Sequence, residues 1–232
     1  MIVRRGSTYR DRVDAGRKLA GLLSAHKGTT AVVFALPRGG IPVAIEVARA
    51  LSLPIDLLYV KKLGAPLQPE LAVGAVVDGP DPDVVINQAI SSRLGVSKEV
   101  IRELAKHELE QIERRKAHYG PELPPPLNPI GRTAIVVDDG LATGATVRAA
   151  VQALRRRGAT RVIVAVPVAP TDAVAELEAA GAEVVCPLVS DDFRGVGEFY
   201  GDFNQLSDQY VLTELRAFHR DAERRSKLRS VD

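Results

Sequence analysis

The residues best suited to chemistry lie between Ala134 and Thr146, in the run AIVVDDGLATGAT. Its apolar start reads as a buried strand, and two adjacent carboxylates, Asp138 and Asp139, stand at the C-terminal end. Gly140 to Thr146 then lead through small residues into a helix. Open α/β sheets bind ligands at the carboxyl ends of their strands. A small-residue loop at a helix N-terminus points backbone N–H groups at an anion, and the helix dipole adds to the attraction. Thr143, Gly144, Ala145 and Thr146 are therefore the expected phosphate loop, with both threonine hydroxyls as donors. Two carboxylates would repel a polyphosphate directly, but they suit sugar hydroxyls or a divalent cation. The implied ligand has a phosphate beside a diol or Mg2+, as a ribose 5-phosphate does. An ordinary βα turn explains the threonines and the glycine but not Asp138 and Asp139 on the end of a buried strand. A Walker loop is excluded, because no Gly-Lys-Ser/Thr follows the glycine.

The elements that must position this loop alternate along the chain. Ala31–Leu36 reads as a buried strand ending at the tight loop Pro37–Gly40, and Ile41–Leu51 has helical spacing. Ile55–Val60 is the next strand, and a short strand is expected at Leu71–Val77. Ser97–His118 is a long, mostly solvated helix. Pro121–Pro129 holds five prolines and must be a connector. Thr133–Val137, Arg161–Val168 and Glu183–Val189 are strands; Ala145–Arg157 and Thr171–Ala180 are helices followed by Gly158 and Gly181. Gln209–Arg225 is a last helix. This alternation predicts an α/β fold on a parallel sheet.

The whole of residues 134–146 resembles the phosphoribosyl-pyrophosphate (PRPP) signature of type I phosphoribosyltransferases: apolar residues, two acids, then a small-residue loop with Thr-Gly-x-Thr. Further blocks resemble stand-alone bacterial phosphoribosyltransferase-like proteins: Leu36–Ala44, Lys62–Val77, Val136–Ala149, Val164–Pro170 and Phe193–Ser207. The last block has Phe199 where those proteins usually carry Trp. The resemblance implies a parallel-sheet α/β fold with helices on both faces and a small hood or C-terminal subdomain. Residues 1–232 would form one domain, with 191–232 as hood or acceptor-side segment and tail. It implies Mg2+-dependent transfer of phosphoribosyl from PRPP to a nitrogen acceptor, with release of pyrophosphate, as in nucleotide salvage. Asp138 and Asp139 would be the catalytic and metal-binding acids, and Thr143–Thr146 would hold the 5-phosphate. Pyrophosphate would lie on Arg38, Gly39 and Gly40, where arginine supplies a bidentate charge and glycine permits close approach. A cis peptide is expected at Arg38–Gly39. A lysine at the end of the next strand would help, and both Lys61 and Lys62 are candidates. A mobile lid is expected either at Gly64–Glu70 or around Arg114–Asn128.

Acceptor binding calls for a flat stacking surface. Phe193, Phe199, Tyr200 and Phe203 cluster after the strand Glu183–Val189, in a chain with only 4% aromatic residues. By analogy with related purine enzymes, Asp192 and Phe193 are the leading acceptor-side residues, with Tyr200 beside them; the same rings could equally be the core of a subdomain. The competing reading is a PRPP-sensing protein of the same fold that transfers nothing.

Composition bounds the rest. The chain has 232 residues, 46% hydrophobic and 26% charged, and a formal charge of +2 from 31 basic and 29 acidic residues. No nucleic-acid coat is indicated, and Arg220–Arg229 reads as a frayed, solvated tail. The single cysteine, Cys186, excludes a disulfide framework and reads as a buried small hydrophobe. Met1–Gly6 lacks a signal-peptide apolar core and no run approaches a membrane span, so the expected place is the cytoplasm, with no membrane partner. A homodimer is expected by fold analogy.

Overall fold

The structure, a computed structural model, describes residues 8–119 and 126–229. Asp11 caps α1 (Arg12–Leu22), its carboxylate accepting from the Asp14 N–H at 2.7 Å. Strand β1 (Val32–Ala35) is wholly buried and turns into α2 (Gly40–Leu51). Then come β2 (Ile55–Leu57), β3 (Val60–Ala65), β4 (Gln68–Val77) and β5 (Asp83–Ile86). Helices α3 (Gln88–Arg93) and α4 (Lys98–Tyr119) follow. The second half runs β6 (Thr133–Val137), α5 (Ala145–Arg156), β7 (Arg161–Ala165), β8 (Val168–Pro170) and α6 (Thr171–Ala179). It ends with β9 (Glu183–Val185), β10 (Leu188–Ser190) and α7 (Asp208–Arg229).

The central sheet has the order β2-β1-β6-β7-β9, with every pair parallel. Its strands are apolar on both faces, as a sheet covered on both sides requires. Val33, Ala35, Ile135, Val137, Ile163 and Ala165 pack with α2 and with Val211, Leu212, Leu215 and Phe218 of α7. Their alternates Val32, Phe34, Ala134, Val136, Val162 and Val164 pack with Val147, Ala150, Val151 and Leu154 of α5. The expected α/β fold with helices on both faces is therefore present.

Three expected strands are cut short. β2 ends at Leu57 because its neighbour β1 ends at the paired Ala35, and the chain then leaves for a separate antiparallel sheet, β3-β4-β5. The other two runs, Arg161–Val168 and Glu183–Val189, break at Pro167 and Pro187 respectively. Proline cannot donate to a ladder, and the two prolines stand at matching heights. Beyond them the chains pair again as a small parallel sheet of β8 and β10, Val168 against Leu188. The described residues after Asp191 do not gather in one place. Phe193, Val196, Phe199 and Phe203 pack with Tyr9, Ala15, Val168 and Tyr200, whereas α7 joins the main core. The expected solvated tail is a continuation of α7, helical to Arg229. Residues 121–125 of the proline-rich connector lie outside the described residues. No helix among the described residues is long and apolar enough to cross a membrane.

Candidate active site

Strands β1 and β6 are neighbours, so the loops that leave their C-terminal ends lie side by side. The Leu36 N–H donates to the Val137 carbonyl at 2.9 Å. A Cβ on Gly40 would meet that same carbonyl oxygen at 2.6 Å and the Asp138 Cα at 2.9 Å. On Gly39 it would fall 2.6 Å from the carboxyl carbon of Asp139. Gly39 and Gly40 are thus brought against Asp138 and Asp139, and only glycine allows the approach. The cis peptide bond is Pro37–Arg38, not the expected Arg38–Gly39. Gly39 is already in helical conformation (φ −58, ψ −40) as the N-cap of α2, so the turn is completed one bond earlier.

Gly144 begins α5 with φ 66, a left-handed conformation that suits glycine. No side chain caps this helix, so its first N–H groups face outward beside the exposed Thr143 and the half-buried Thr146. That is the anion-binding arrangement expected of the loop.

The two acids are electrostatically distinct. Burial pushes the Asp138 carboxyl well above the ordinary carboxylate range, and the charge of Asp139 pushes it further. Burial also raises Asp139, but Arg12 works against the rise. The Arg12 Nε donates to Asp139 Oδ2 at 2.7 Å, and the Tyr200 hydroxyl donates to the Asp139 carbonyl at 2.6 Å. Asp138 Oδ1 accepts from the Asp139 N–H at 2.9 Å. Among the described residues no group of three or more His, Cys, Asp or Glu is placed to hold a metal. A divalent cation at Asp138 and Asp139 would therefore need oxygens of a bound phosphate-bearing ligand or water to complete its shell. That is the usual habit of Mg2+, so these donors fit it.

The lysines do not stand at a strand end. Both lie within β3, paired opposite Val76 and Ala75. The reason is the early end of β2: the expected edge position is occupied by the crossing into the antiparallel sheet. Alternation separates them. Lys62 lines a recess of about 420 Å³ with Gln88, Ala145, Thr146 and Arg148, beside the start of α5, and its Nζ donates to the Glu70 carbonyl at 3.3 Å. Lys61 is not among the residues of that recess. Of the two candidate lids, Gly64–Glu70 is the tip of the β3–β4 hairpin, with Leu67 at 95% exposure. The other runs off the end of α4, and its residues 120–125 lie outside the described ones.

Two of the acceptor-side candidates, Phe193 and Tyr200, share one apolar cluster, and Asp192 lies outside it. Asp192 is exposed beside Arg194, and Phe193 stacks on Phe199 with ring centroids 5.5 Å apart. Tyr200 is buried, with its hydroxyl committed to Asp139. Cys186 is half-buried, donates to the Leu188 carbonyl at 3.3 Å, and has its thiol pushed up to about 11 by burial. A cavity of about 640 Å³ runs along Asp56, Tyr59, Lys116 and His219, and no residue of either loop lines it.

Two contacts have no counterpart in the sequence reading. One is Arg12 on Asp139. The other is Asp208, the first residue of α7, which lies 3.6 Å from Arg38 and accepts from the Tyr119 hydroxyl at 2.8 Å. Neither Arg12 nor Asp208 sits in a motif; each looks like a solvated charge near a helix start.

The parallel sheet, with its glycine loop, paired acids and uncapped helix at one edge, has the architecture of a type I phosphoribosyltransferase. The chain belongs to the phosphoribosyl transferase domain family, whose model matches residues 7–200. A curated Mycobacterium tuberculosis protein with the provisional name phosphoribosyl transferase is 42% identical over 215 residues, covering 92% of this chain and 47% of that protein. The chain thus spans about half the length of the curated relatives it matches. The crystal structure of TT1426 from Thermus thermophilus is 38% identical, with a TM-score of 0.79, over 90% of this chain and 98% of that one.

Proposed function

We propose that this chain transfers the phosphoribosyl group of PRPP to a nitrogen acceptor, a nucleobase by chemical class, and releases pyrophosphate. The observation that carries the reading is the packing of Gly39 and Gly40 directly against Val137, Asp138 and Asp139. It supports a ligand shared by the glycine loop after β1 and the two acids after β6, with the start of α5 a few residues further along the same chain segment.

In this reading the Thr143–Thr146 loop and the start of α5 bind the 5-phosphate, and Asp138 and Asp139 hold the ribose hydroxyls. The backbone of Gly39 and Gly40, with Arg38, binds the pyrophosphate and stabilises its charge as it leaves C1. Lys62 stands on the Thr146 side of the cleft, so its charge serves the phosphoribosyl end. The acceptor nitrogen forms the new bond at C1 on the opposite face. Asp138 and Asp139 are also the residues that would hold Mg2+, which supplies neutralisation of the pyrophosphate charge. Positioning and exclusion of water supply the remaining rate.

One observation favours the non-catalytic alternative, a PRPP sensor. Phe193 has one ring face stacked on Phe199, and Tyr200 is buried with its ring against Tyr9 and Phe203, so these aromatics offer a base little open surface. Pyrophosphate release from PRPP, measured with Mg2+ and a panel of purine and pyrimidine bases, separates the two. Release that depends on one base establishes the transferase, while tight PRPP binding with no release on any base supports the sensor.

A further inference from the structure

Resting on the phosphoribosyl reading above, we propose that Arg12 is a positioning residue for Asp139, and that segment 199–204 tunes PRPP affinity through it. Strand β6 does not itself fix this acid, because its ladder ends at Val137. The Asp139 side chain is held by Arg12 Nε at 2.7 Å, with the two side chains only 10% and 14% exposed. Its backbone carbonyl is held by the Tyr200 hydroxyl at 2.6 Å, and its other side is closed by Gly39.

Arg12 is in turn immobilised. Its Nη1 donates to the Asn204 carbonyl at 3.0 Å, and its guanidinium carbon lies 3.9 Å above the centre of the Phe203 ring. A stacked, hydrogen-bonded guanidinium has few orientations left. The segments that carry these groups are joined by their backbones. The Tyr9 N–H donates to the Phe199 carbonyl at 3.0 Å, Gly201 to Tyr9 at 2.8 Å, and Asp202 to Arg10 at 2.7 Å. Residues 9–12 and 199–204 therefore form one unit that grips Asp139 from outside the sheet. A displacement of Phe203 reaches the ribose-facing acid through Arg12, on whose guanidinium the Phe203 ring is stacked.

Calorimetric binding of PRPP and ribose 5-phosphate with Mg2+, and of pyrophosphate without it, tests this in the full chain. For Arg12→Gln we expect affinity for PRPP and ribose 5-phosphate to fall on the order of tenfold or more, the scale of a lost charge-assisted contact. Pyrophosphate, held by the Arg38 loop, should stay within about twofold. Arg12→Lys restores the charge without the planar fork and should recover part of the loss. Phe203→Leu keeps Arg12 but removes the stack, and should weaken the same two ligands by a smaller factor. In an Asp139→Asn background, Arg12→Gln should add nothing. Wild-type affinity in Arg12→Gln, equal loss for pyrophosphate, or simple additivity with Asp139→Asn would each overturn the inference. A wild-type chain that binds neither PRPP nor ribose 5-phosphate would overturn the phosphoribosyl reading itself, and this inference with it.

Discussion

Gly39 and Asp139 face each other so closely that a single methyl group on the glycine would come 2.6 Å from the acid's carboxyl carbon. One follows β1 and the other follows β6, and the parallel pairing of those strands makes them neighbours. Gly39→Ala must push Asp139 aside or lift the loop. PRPP affinity should fall on the order of a hundredfold, because several charge-assisted contacts shift together. Gly21→Ala, in an exposed stretch of α1 with open space around it, is the control and should stabilise the chain by up to about 1 kcal/mol. Normal PRPP binding by Gly39→Ala would show that the two loops do not share a ligand.

Thr146 stands in the first turn of α5, at a helix start that no side chain caps. Thr146→Val keeps the volume and removes the hydroxyl. Ribose 5-phosphate should bind roughly ten- to a hundredfold more weakly, the range for one hydrogen bond to a charged group. Loss confined to pyrophosphate would mean that the two anion loops have been assigned the wrong way round.

Arg38, the charged residue of the glycine loop, lies 3.6 Å from Asp208 across the cleft. In the proposed reaction pyrophosphate competes with this carboxylate for the guanidinium. Asp208→Asn should therefore tighten pyrophosphate binding by roughly two- to tenfold, a modest gain for a half-exposed pair. It should also cost α7 a little stability, since an acid in the first turn suits the helix dipole. Unchanged pyrophosphate affinity would show that Arg38 does not meet that group.

Burial raises the Cys186 thiol from the usual 9.0 to about 11. The folded chain keeps this proton where the unfolded chain has lost it. Its contribution to stability is fully present below about pH 9 and is lost as the pH rises through about 11. Iodoacetamide at neutral pH should label the folded chain far more slowly than the urea-unfolded chain. Cys186→Ala should remove part of the alkaline loss of stability in denaturant titrations. Rapid labelling of the folded chain would show an accessible thiolate instead.

What is legible in the sequence is local. A strand, a loop and a helix start are contiguous, so AIVVDDGLATGAT displays its own chemistry, and the glycine loop after β1 does the same. Pro167 and Pro187 are visible inside two apolar runs, but hydrophobicity alone suggests unbroken strands. Only the absent N–H groups explain why both chains bend at the same height. The antiparallel sheet is hidden because Lys61 and Lys62 interrupt the apolar pattern of β3. Arg12 and Asp208 are not legible at all. Each acts on a residue far along the chain, and a tertiary ion pair leaves no spacing to read.

The most direct test is a calorimetric titration of the chain with PRPP and Mg2+, beside the Asp138→Asn/Asp139→Asn double variant. The account predicts saturable binding by the wild-type chain, and loss of that binding in the double variant with its thermal unfolding still cooperative. Wild-type affinity in the double variant, or no PRPP binding by the unaltered chain, would contradict it.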